Sequence, residues 1–504
     1  MKTAKSLISA LLTIVILFSI VSCGAAGGDG NYAGAPNAPM APSDDGMMPD
    51  LSGEGYTEIV ENGFVSVSES ASSYFSIDVN TASYPNLRSL ITDGVTNIPR
   101  DAVRIEEMLN YFNYSYDRPE GGEVFALNAA IFDNPYNPET KLFKVGLAAE
   151  AVEFSEVKNN LVFLIDVSGS MASSDKLPLV QQAFTLLAEN LNDEDRVSVV
   201  TYAGSSGVRL EGAFGYEKQK ICAVIEDLMA GGGTAGSEGI NTAYAIAEKY
   251  FIEGGNNRVI LATDGDFNIG VTGKGALEAL ISEKRDTGVY FSVFGVGRGN
   301  LKSDTAETLA LAGNGAYSYI DSVKEARRAL VEEIGGSMVT VAKDVKAGIT
   351  FNPEYINEYR LIGYENKLLT EDEFNDESTD AGEVGSGHTV TVVYEVKMTD
   401  KADAADNVAD VIIRYKPTEN SSTETQDTEL TLAVTSESLR EASDEELFVA
   451  AVIEFGLILR ESEYKAEAEL SALLLRLEGL SLTDEYMIEF RELVAVYSEN
   501  ISEQ

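Results

Sequence analysis

The sequence has a single histidine, His388, in 504 residues. It lies far in sequence from the strand-end residues described below, which removes Ser-His-Asp nucleophilic catalysis and the usual zinc chemistry from that site. Cysteine is almost as rare, with only Cys23 and Cys222. An exported chain of this size without a disulfide framework relies on its core, or on metal. Basic residues are few as well: 37 Lys and Arg stand against 82 Asp and Glu, a formal charge of −45. Such a surface repels nucleic acid and anionic headgroups, which excludes nucleic-acid binding, and it favours divalent cations. No internal repeat is visible.

What remains is the balance of a folded protein, 44% hydrophobic and 24% charged, long enough for about two to four domains. The start reads differently. Lys2 and Lys5 precede an apolar run over 7–21, and Ile20-Val21-Ser22-Cys23 follows. A charged n-region, an apolar h-region and a small-residue cleavage site define a secretory signal over 1–22. Its ending resembles the bacterial lipobox, which implies a lipid on Cys23 and an exported chain anchored to a bacterial membrane. An ordinary signal peptide or a short membrane helix is the alternative. With Cys23 lipidated, Cys222 has no disulfide partner. It lies in a helical pattern over 218–229 and is expected as a small buried apolar residue, not a nucleophile. Residues 23–55, rich in Gly, Ala, Pro and Ser without periodicity, are expected as a flexible tether.

Residues 56–120 read as a mixed α+β region, with a strand over 75–79 and a helix over 99–112. Strands follow at 124–131 and 141–148 around the turn 134–138 (NPYNP). From 161 to about 336, apolar strands (LVFLIDV, RVSVVTYA, RVILATDG, VYFSVFGVG, AYSYI) alternate with helical segments at 177–191, 218–229, 240–251, 274–284, 305–311 and 323–334. That order predicts an α/β, doubly wound parallel sheet, a Rossmann-like arrangement. Alternating strands return at 345–351, 358–363, 388–396, 411–415 and 429–434, with the acidic stretch 370–383 (TEDEFNDESTDAGE) expected as a solvated excursion. Segments 121–158 and 340–436 are expected to form one β-sandwich with the α/β domain, 159–339, inserted into it. Residues 437–504 are expected to be helical, with Phe448, Val452, Phe455 and Leu459 marking one apolar face of a structural bundle.

Ligands of a doubly wound sheet sit beyond the carboxyl ends of its strands. Asp166 lies there on the first strand, Ser168 and Ser170 follow at alternating positions, and Gly169 permits close backbone approach. A second acid, Asp264, ends a later strand, and the Gly-rich loop 231–235 (GGGTA) offers Thr234. Two carboxylates and three hydroxyls make an octahedral oxygen site suited to Mg²⁺, with Mn²⁺ and Ca²⁺ as further candidates.

D-x-S-x-S ending a buried strand, a Thr in a Gly-rich loop, and T-D-G after a later strand together resemble the metal-ion-dependent adhesion site of von Willebrand factor type A domains. The resemblance implies Ser168, Ser170 and Thr234 as metal ligands and Asp166 as a ligand directly or through water. It implies Asp264 mainly as a water-mediated acceptor, and an Asp or Glu carboxylate of a partner protein completing the coordination. The stretches FSIDVNTASYPNLRSLI, RDAVRIEEMLNYFNYSY, GSGHTVTVVYEV and ELFVAAVIEFGLILRESEY are similar to the flanks of YfbK-type bacterial type A lipoproteins. That similarity extends from about residue 74 to the end.

Three other features are set aside. Residues 231–236 (GGGTAG) satisfy G-x-G-x-x-G, but they follow a helix and not the first strand, so no nucleotide cofactor is expected. Asp266, two residues after Asp264, shapes a loop rim. His388 precedes an alternating strand and is structural. The expected function is a cell-envelope lipoprotein that binds a protein partner through a divalent metal. One alternative is a metal-dependent hydrolase, which lacks a second metal cluster, a general-base histidine and an activated nucleophile here, so no enzyme is expected. Another is a structural envelope protein whose metal only stabilises the fold.

Overall fold

The structure, a computed structural model, describes residues 53–151, 157–203, 206–232, 236–265, 274–299, 301–332, 339–401, 407–418, 428–435 and 438–503. The expected signal, the lipidation residue Cys23, nearly all of the tether, Thr234 and Asp266 lie outside the described residues. Among the described residues no helix is long and apolar enough to cross a membrane.

The chain opens with strands β1 (Val65–Ser66) and β2 (Ser72–Ser76), helices α1 (Ser83–Thr92) and α2 (Ile105–Asn110), and the hairpin β3 (Phe125–Asp133) and β4 (Lys141–Ala149). The helix expected over 99–112 is shorter and broken. Arg100–Ala102 forms a separate 3₁₀ turn, and Val103 and Arg104 leave helical geometry before α2 begins.

A six-stranded sheet with helices on both faces follows. Its elements in chain order are β5 (Asn159–Asp166), α3 (Leu177–Glu189), β6 (Arg196–Tyr202), β7 (Ser206–Phe214), α4 (Lys218–Glu226), α5 (Gly236–Lys249), β8 (Asn256–Thr263), α6 (Lys274–Arg285), β9 (Tyr290–Val296), α7 (Ser303–Ala312), β10 (Tyr317–Ile320) and α8 (Val323–Arg327), which runs on into a π-helical turn, Arg328–Glu332. The sheet order is β10-β9-β8-β5-β6-β7. All pairs are parallel except β6–β7. Every residue of β5 is buried, as a parallel strand covered on both faces requires. One face packs under α3, α4 and α8, the other under α5, α6 and α7. Phe163 of β5 stacks on Phe184 of α3 with ring centroids 4.3 Å apart. The antiparallel edge strand β7 was not legible in the sequence, because its apolar positions are sparse and Val208 is exposed.

The chain then forms β11 (Thr340–Phe351), β12 (Ile356–Ile362), β13 (Leu368–Leu369), α9 (Glu371–Asn375), β14 (Gly382–Gly385), β15 (Thr389–Met398), β16 (Ala409–Pro417) and β17 (Thr428–Val434). These complete two sheets, β1-β12-β15-β4-β3 and β13-β2-β11-β16-β17, with β14 beside β11. Their facing sides share one core that includes Phe75, Phe143, Phe351, Tyr359 and Tyr394. The six-stranded α/β unit is thus entered from β4 and left into β11, one strand from each sheet, and the first hundred residues contribute an edge or inner strand to both. The acidic stretch 370–383 is more ordered than a solvated excursion. Thr370 and Glu373 form a reciprocal capping box that starts α9, and Phe374 is buried against Tyr74 with ring centroids 4.8 Å apart.

Helices α10 (Asp444–Leu459), α11 (Leu470–Glu478) and α12 (Glu485–Ser502) end the chain. They pack on α1 and α2 in a separate core centred on Phe112, Phe448, Phe455 and Phe490, whose rings meet edge to face; each such pair adds about 0.5–1.5 kcal/mol beyond its area. Helix α10 departs from expectation. It is buried on nearly every side and not along one stripe, with Val449, Ala450, Ile453 and Leu457 as enclosed as Phe448. A helix that is apolar all round is the central element of its bundle.

Candidate metal centre

The sheet turns back on itself at β5, whose neighbours β6 and β8 are reached in opposite directions. A crevice opens at such a point beyond the carboxyl ends, and Asp166 is the last residue of β5. Register places Ile165 beside Ala262 of β8 and Asp166 beside Tyr202 of β6, so Asp264, just past β8, stands on the adjacent strand end. Both aspartates are fully buried.

The turn after β5 is held by its own side chain. The Ser168 N–H donates to Asp166 Oδ1 at 2.8 Å, an Asx-type turn, and Met171, fully buried, pins the far side. Ser168 is buried while Gly169 and Ser170 face solvent, so the crevice has an open mouth. The Gly-rich loop docks on this turn through two backbone bonds, Gly231 N–H to Val167 C=O at 2.8 Å and Gly169 N–H to Gly232 C=O at 3.3 Å. Gly232 has φ +94°, and a Cβ there would come within 3.3 Å of the Ala203 carbonyl, a conformation only glycine adopts without strain. The structure thus brings Asp166, Ser168, Ser170 and Asp264 to one strand-end crevice; Thr234, two residues beyond Gly232, is outside the described residues.

The donor set fits a hard divalent cation. Ser168 Oγ and Ser170 Oγ are 3.0 Å apart, and adjacent ligands of an octahedral Mg²⁺ at about 2.1 Å are separated by about 3.0 Å. Asp166 Oδ2 is buried and makes no hydrogen bond, although the Tyr202 hydroxyl lies near the Asp166 carboxyl. A buried carboxylate oxygen left in this state costs free energy unless something cationic faces it. Burial pushes the Asp166 carboxyl up, the Ser168 contacts oppose this, and the charge of Asp264 adds to it. Tyr202 is driven far above the ordinary phenol range by burial and by Asp166, so its hydroxyl stays protonated.

One residue of the crevice was missed by sequence reasoning. Lys176, at the start of α3, places Nζ 2.8 Å from Asp264 Oδ2, and its side chain is 10% exposed. No spacing rule flags a lone lysine in a Ser-rich loop. Its path is made by Gly297 (φ +69°), where a Cβ would collide with the lysine stem.

The remaining features fall elsewhere. His388 lies next to β15, where its carbonyl accepts from the Ala149 N–H at 2.8 Å, and burial and Arg328 hold its imidazole down to about 4. Cys222 is a free thiol, half-buried where full burial was expected, and pushed up by desolvation. A second acidic cluster, Asp78, Glu107 and Glu307, gathers between α2 and α7. Chain cations already serve it: Lys367 Nζ is 3.3 Å from Asp78 and 3.5 Å from Glu307, and Arg104 Nε is 3.7 Å from Glu107.

Three family descriptions match the chain. "von Willebrand factor" matches residues 50–144, "von Willebrand factor type A domain" residues 161–266, and "Uncharacterized protein YfbK, C-terminal" residues 336–499. Uncharacterized protein YfbK of Escherichia coli (strain K12) is 38% identical over 434 residues, covering 81% of this chain and 74% of that protein. Uncharacterized protein sll0103 of Synechocystis sp. is 28% identical over 187 residues, 36% of this chain and 43% of that one. Among solved structures, a von Willebrand factor type A protein from Catenulispora acidiphila is 17% identical over 66% of this chain and 78% of its own, with a TM-score of 0.39.

Proposed function

The chain belongs to the YfbK family of von Willebrand factor type A proteins, and from that membership we propose that it is a lipid-anchored cell-envelope protein that binds a protein partner through a divalent cation. Type A domains generally mediate protein–protein interactions, which sets the class of function. The finer reading is supported above all by Asp166, whose buried Oδ2 lacks a hydrogen bond beside two serine hydroxyls at octahedral-edge spacing.

In this reading Asp166, Ser168, Ser170 and Thr234 hold Mg²⁺, with Mn²⁺ or Ca²⁺ as substitutes, and Asp264 supports the site through water. The ion supplies a point of positive charge to which a partner's Asp or Glu carboxylate coordinates. The chain's residues do the rest. The Ser168 N–H fixes the Asp166 rotamer, the docked Gly-rich loop closes one wall, and exposed Ser170 leaves the mouth free for an incoming group. On a surface of −45, a local cation is where an acidic partner is attracted and not repelled. Anchoring rests on the lipobox resemblance at Cys23.

The test is binding of a partner captured from envelope extracts on the full chain. Binding lost with EDTA and in Asp166→Ala is the expected result, and binding that survives both rejects the reading. Cys23→Ser is expected to release the chain from the membrane fraction.

A further inference from the structure

The ammonium of Lys176 sits 2.8 Å from Asp264 Oδ2, in a crevice where the other buried aspartate, Asp166, has an oxygen without a hydrogen bond. A chain with 82 acidic and 37 basic residues has placed one of its few cations beside the residues that would hold a metal ion. This placement costs conformational freedom. The lysine stem is enclosed, and the side chain needs Gly297 on another strand end to make room. A surface lysine would carry none of these constraints.

We infer that Lys176 is a built-in counter-cation that holds down the centre's affinity for its metal ion and so keeps net positive charge on the ion for the partner. The inference rests on the metal-dependent reading above. Two ionised aspartates beside a divalent cation would neutralise it, and a neutral centre has little attraction for a carboxylate. With Lys176 cancelling one of those charges, the protein's own groups sum to one negative charge, and the bound ion keeps one positive charge in a site of low dielectric, where that charge counts most. The same ammonium occupies Asp264 Oδ2, which leaves that carboxylate less free to bind the ion directly. Lys176 is therefore a positioning residue: it acts on the metal through Asp264.

A purely structural lysine makes a different prediction. If Lys176 only satisfied a buried carboxylate, its loss would lower stability and leave metal affinity unchanged or weaker. The deciding experiment is calorimetric titration of the full chain with Mg²⁺ and Mn²⁺, comparing the parent with Lys176→Gln, Lys176→Arg and Asp166→Ala. Gln keeps a donor for Asp264 without the charge, and Arg keeps the charge. We expect Lys176→Gln to bind both ions about tenfold tighter or more, and Lys176→Arg to stay within about threefold of the parent. Circular dichroism and thermal unfolding with and without Mg²⁺ accompany each titration, so that a variant that folds only with metal is recognised by an enlarged Mg²⁺-induced shift, which is itself the expected direction.

Tighter binding by Lys176→Gln supports the inference, including the case where the parent binds too weakly to titrate and the variant does not. Unchanged or weaker binding in a folded Lys176→Gln overturns it. The metal reading would survive that result if the parent binds and Asp166→Ala does not. If neither the parent nor Lys176→Gln binds either ion, both fall together.

Discussion

Arg88 of α1 and Asp321, just before α8, form a two-point ion pair, Nε to Oδ2 at 2.8 Å and Nη2 to Oδ1 at 2.7 Å. The same guanidinium reaches Glu325 Oε2 of α8 at 2.8 Å, Glu489 Oε1 of α12 at 2.5 Å and the Tyr111 hydroxyl at 2.9 Å. One arginine thus ties the N-terminal helices, the last helix of the type A domain and the final helix of the chain at a single buried point. Three carboxylates share it, and two further cations join them: Arg328 Nε 3.2 Å from Glu325 and Lys324 Nζ 2.7 Å from Glu489. Burial opposes ionisation of Glu325, and Arg328 and Arg88 outweigh it, so its carboxyl lies below the usual range.

Removing that guanidinium leaves buried Asp321 without its cation, while Glu325 keeps Arg328 and Glu489 keeps Lys324; breaking a buried pair in this way costs about 3–5 kcal/mol. Arg88→Ala is therefore expected to lower the unfolding free energy by that amount, read from urea denaturation. Arg88→Lys is expected to recover only part of it, because an ammonium cannot reproduce the planar two-point contact with Asp321. Full recovery by lysine would mean that charge alone, and not the fork geometry, matters here.

Metal binding should show as stability. An ion that binds only the folded chain stabilises it by about 2.7 kcal/mol at a hundred times its dissociation constant. Saturating Mg²⁺ is expected to raise the melting temperature of the parent, EDTA to reverse the rise, and Asp166→Asn to abolish it. On the metal-dependent reading, Ser168→Ala should need a higher Mg²⁺ concentration for the same shift. An equal shift in the parent and Asp166→Asn would place the stabilising ion elsewhere.

The strand-end positions of Asp166, Ser168, Ser170 and Asp264 were legible in the sequence, and little of their surroundings was. Strands β5, β6, β8 and β9 are buried on both faces, so they read as continuous apolar runs, and the motif residues at their ends follow from strand order. Other elements carry no such periodicity. β7 is an edge strand with an exposed Val208. α9 begins on a capping box inside an acidic stretch and buries a single phenylalanine. α1 carries Pro85 in its first turn, and its buried face includes Ser83, Asn86 and Arg88, so polarity hides a helix whose partners lie hundreds of residues away. Lys176 is the clearest case. Its role depends on the room left by Gly297 and on a carboxylate brought close by the sheet, and neither is local in sequence.

Glu383 predicts a pH dependence. It lines a cavity together with Arg258 of β8 and Lys367; its Oε2 is buried without a hydrogen bond, and burial raises its carboxyl to about 7, with Lys343 and Arg258 opposing. A carboxyl whose folded pKa lies above its unfolded value favours folding at low pH and loses that contribution as pH rises through the folded value. Between about pH 4.5 and 7 the charge on Glu383 thus works increasingly against the fold. Glu383→Gln is expected to match the parent near pH 4.5 and to exceed it by about 1–3 kcal/mol at pH 8. Urea titrations across that range check it, and a difference independent of pH would refute it.

His388 gives the opposite sign and the cleanest readout, because it is the only histidine in the chain. Burial and the charge of Arg328 hold its imidazole at about 4, against about 6.5 in an unfolded chain. Above pH 6.5 both states are neutral and the contribution to stability is full. As pH falls toward 4, the unfolded chain takes up a proton that the folded chain refuses, and stability is lost, by up to about 3 kcal/mol. The imidazole C2 proton should give one resonance in the NMR spectrum of the folded protein, and its shift should stay flat from pH 8 to about 5. His388→Gln should show a shallower loss of stability between pH 6.5 and 4.5 than the parent. A titration midpoint near 6.5 in the folded protein would show the ring open to water and free of Arg328, and would remove this residue from the acid response.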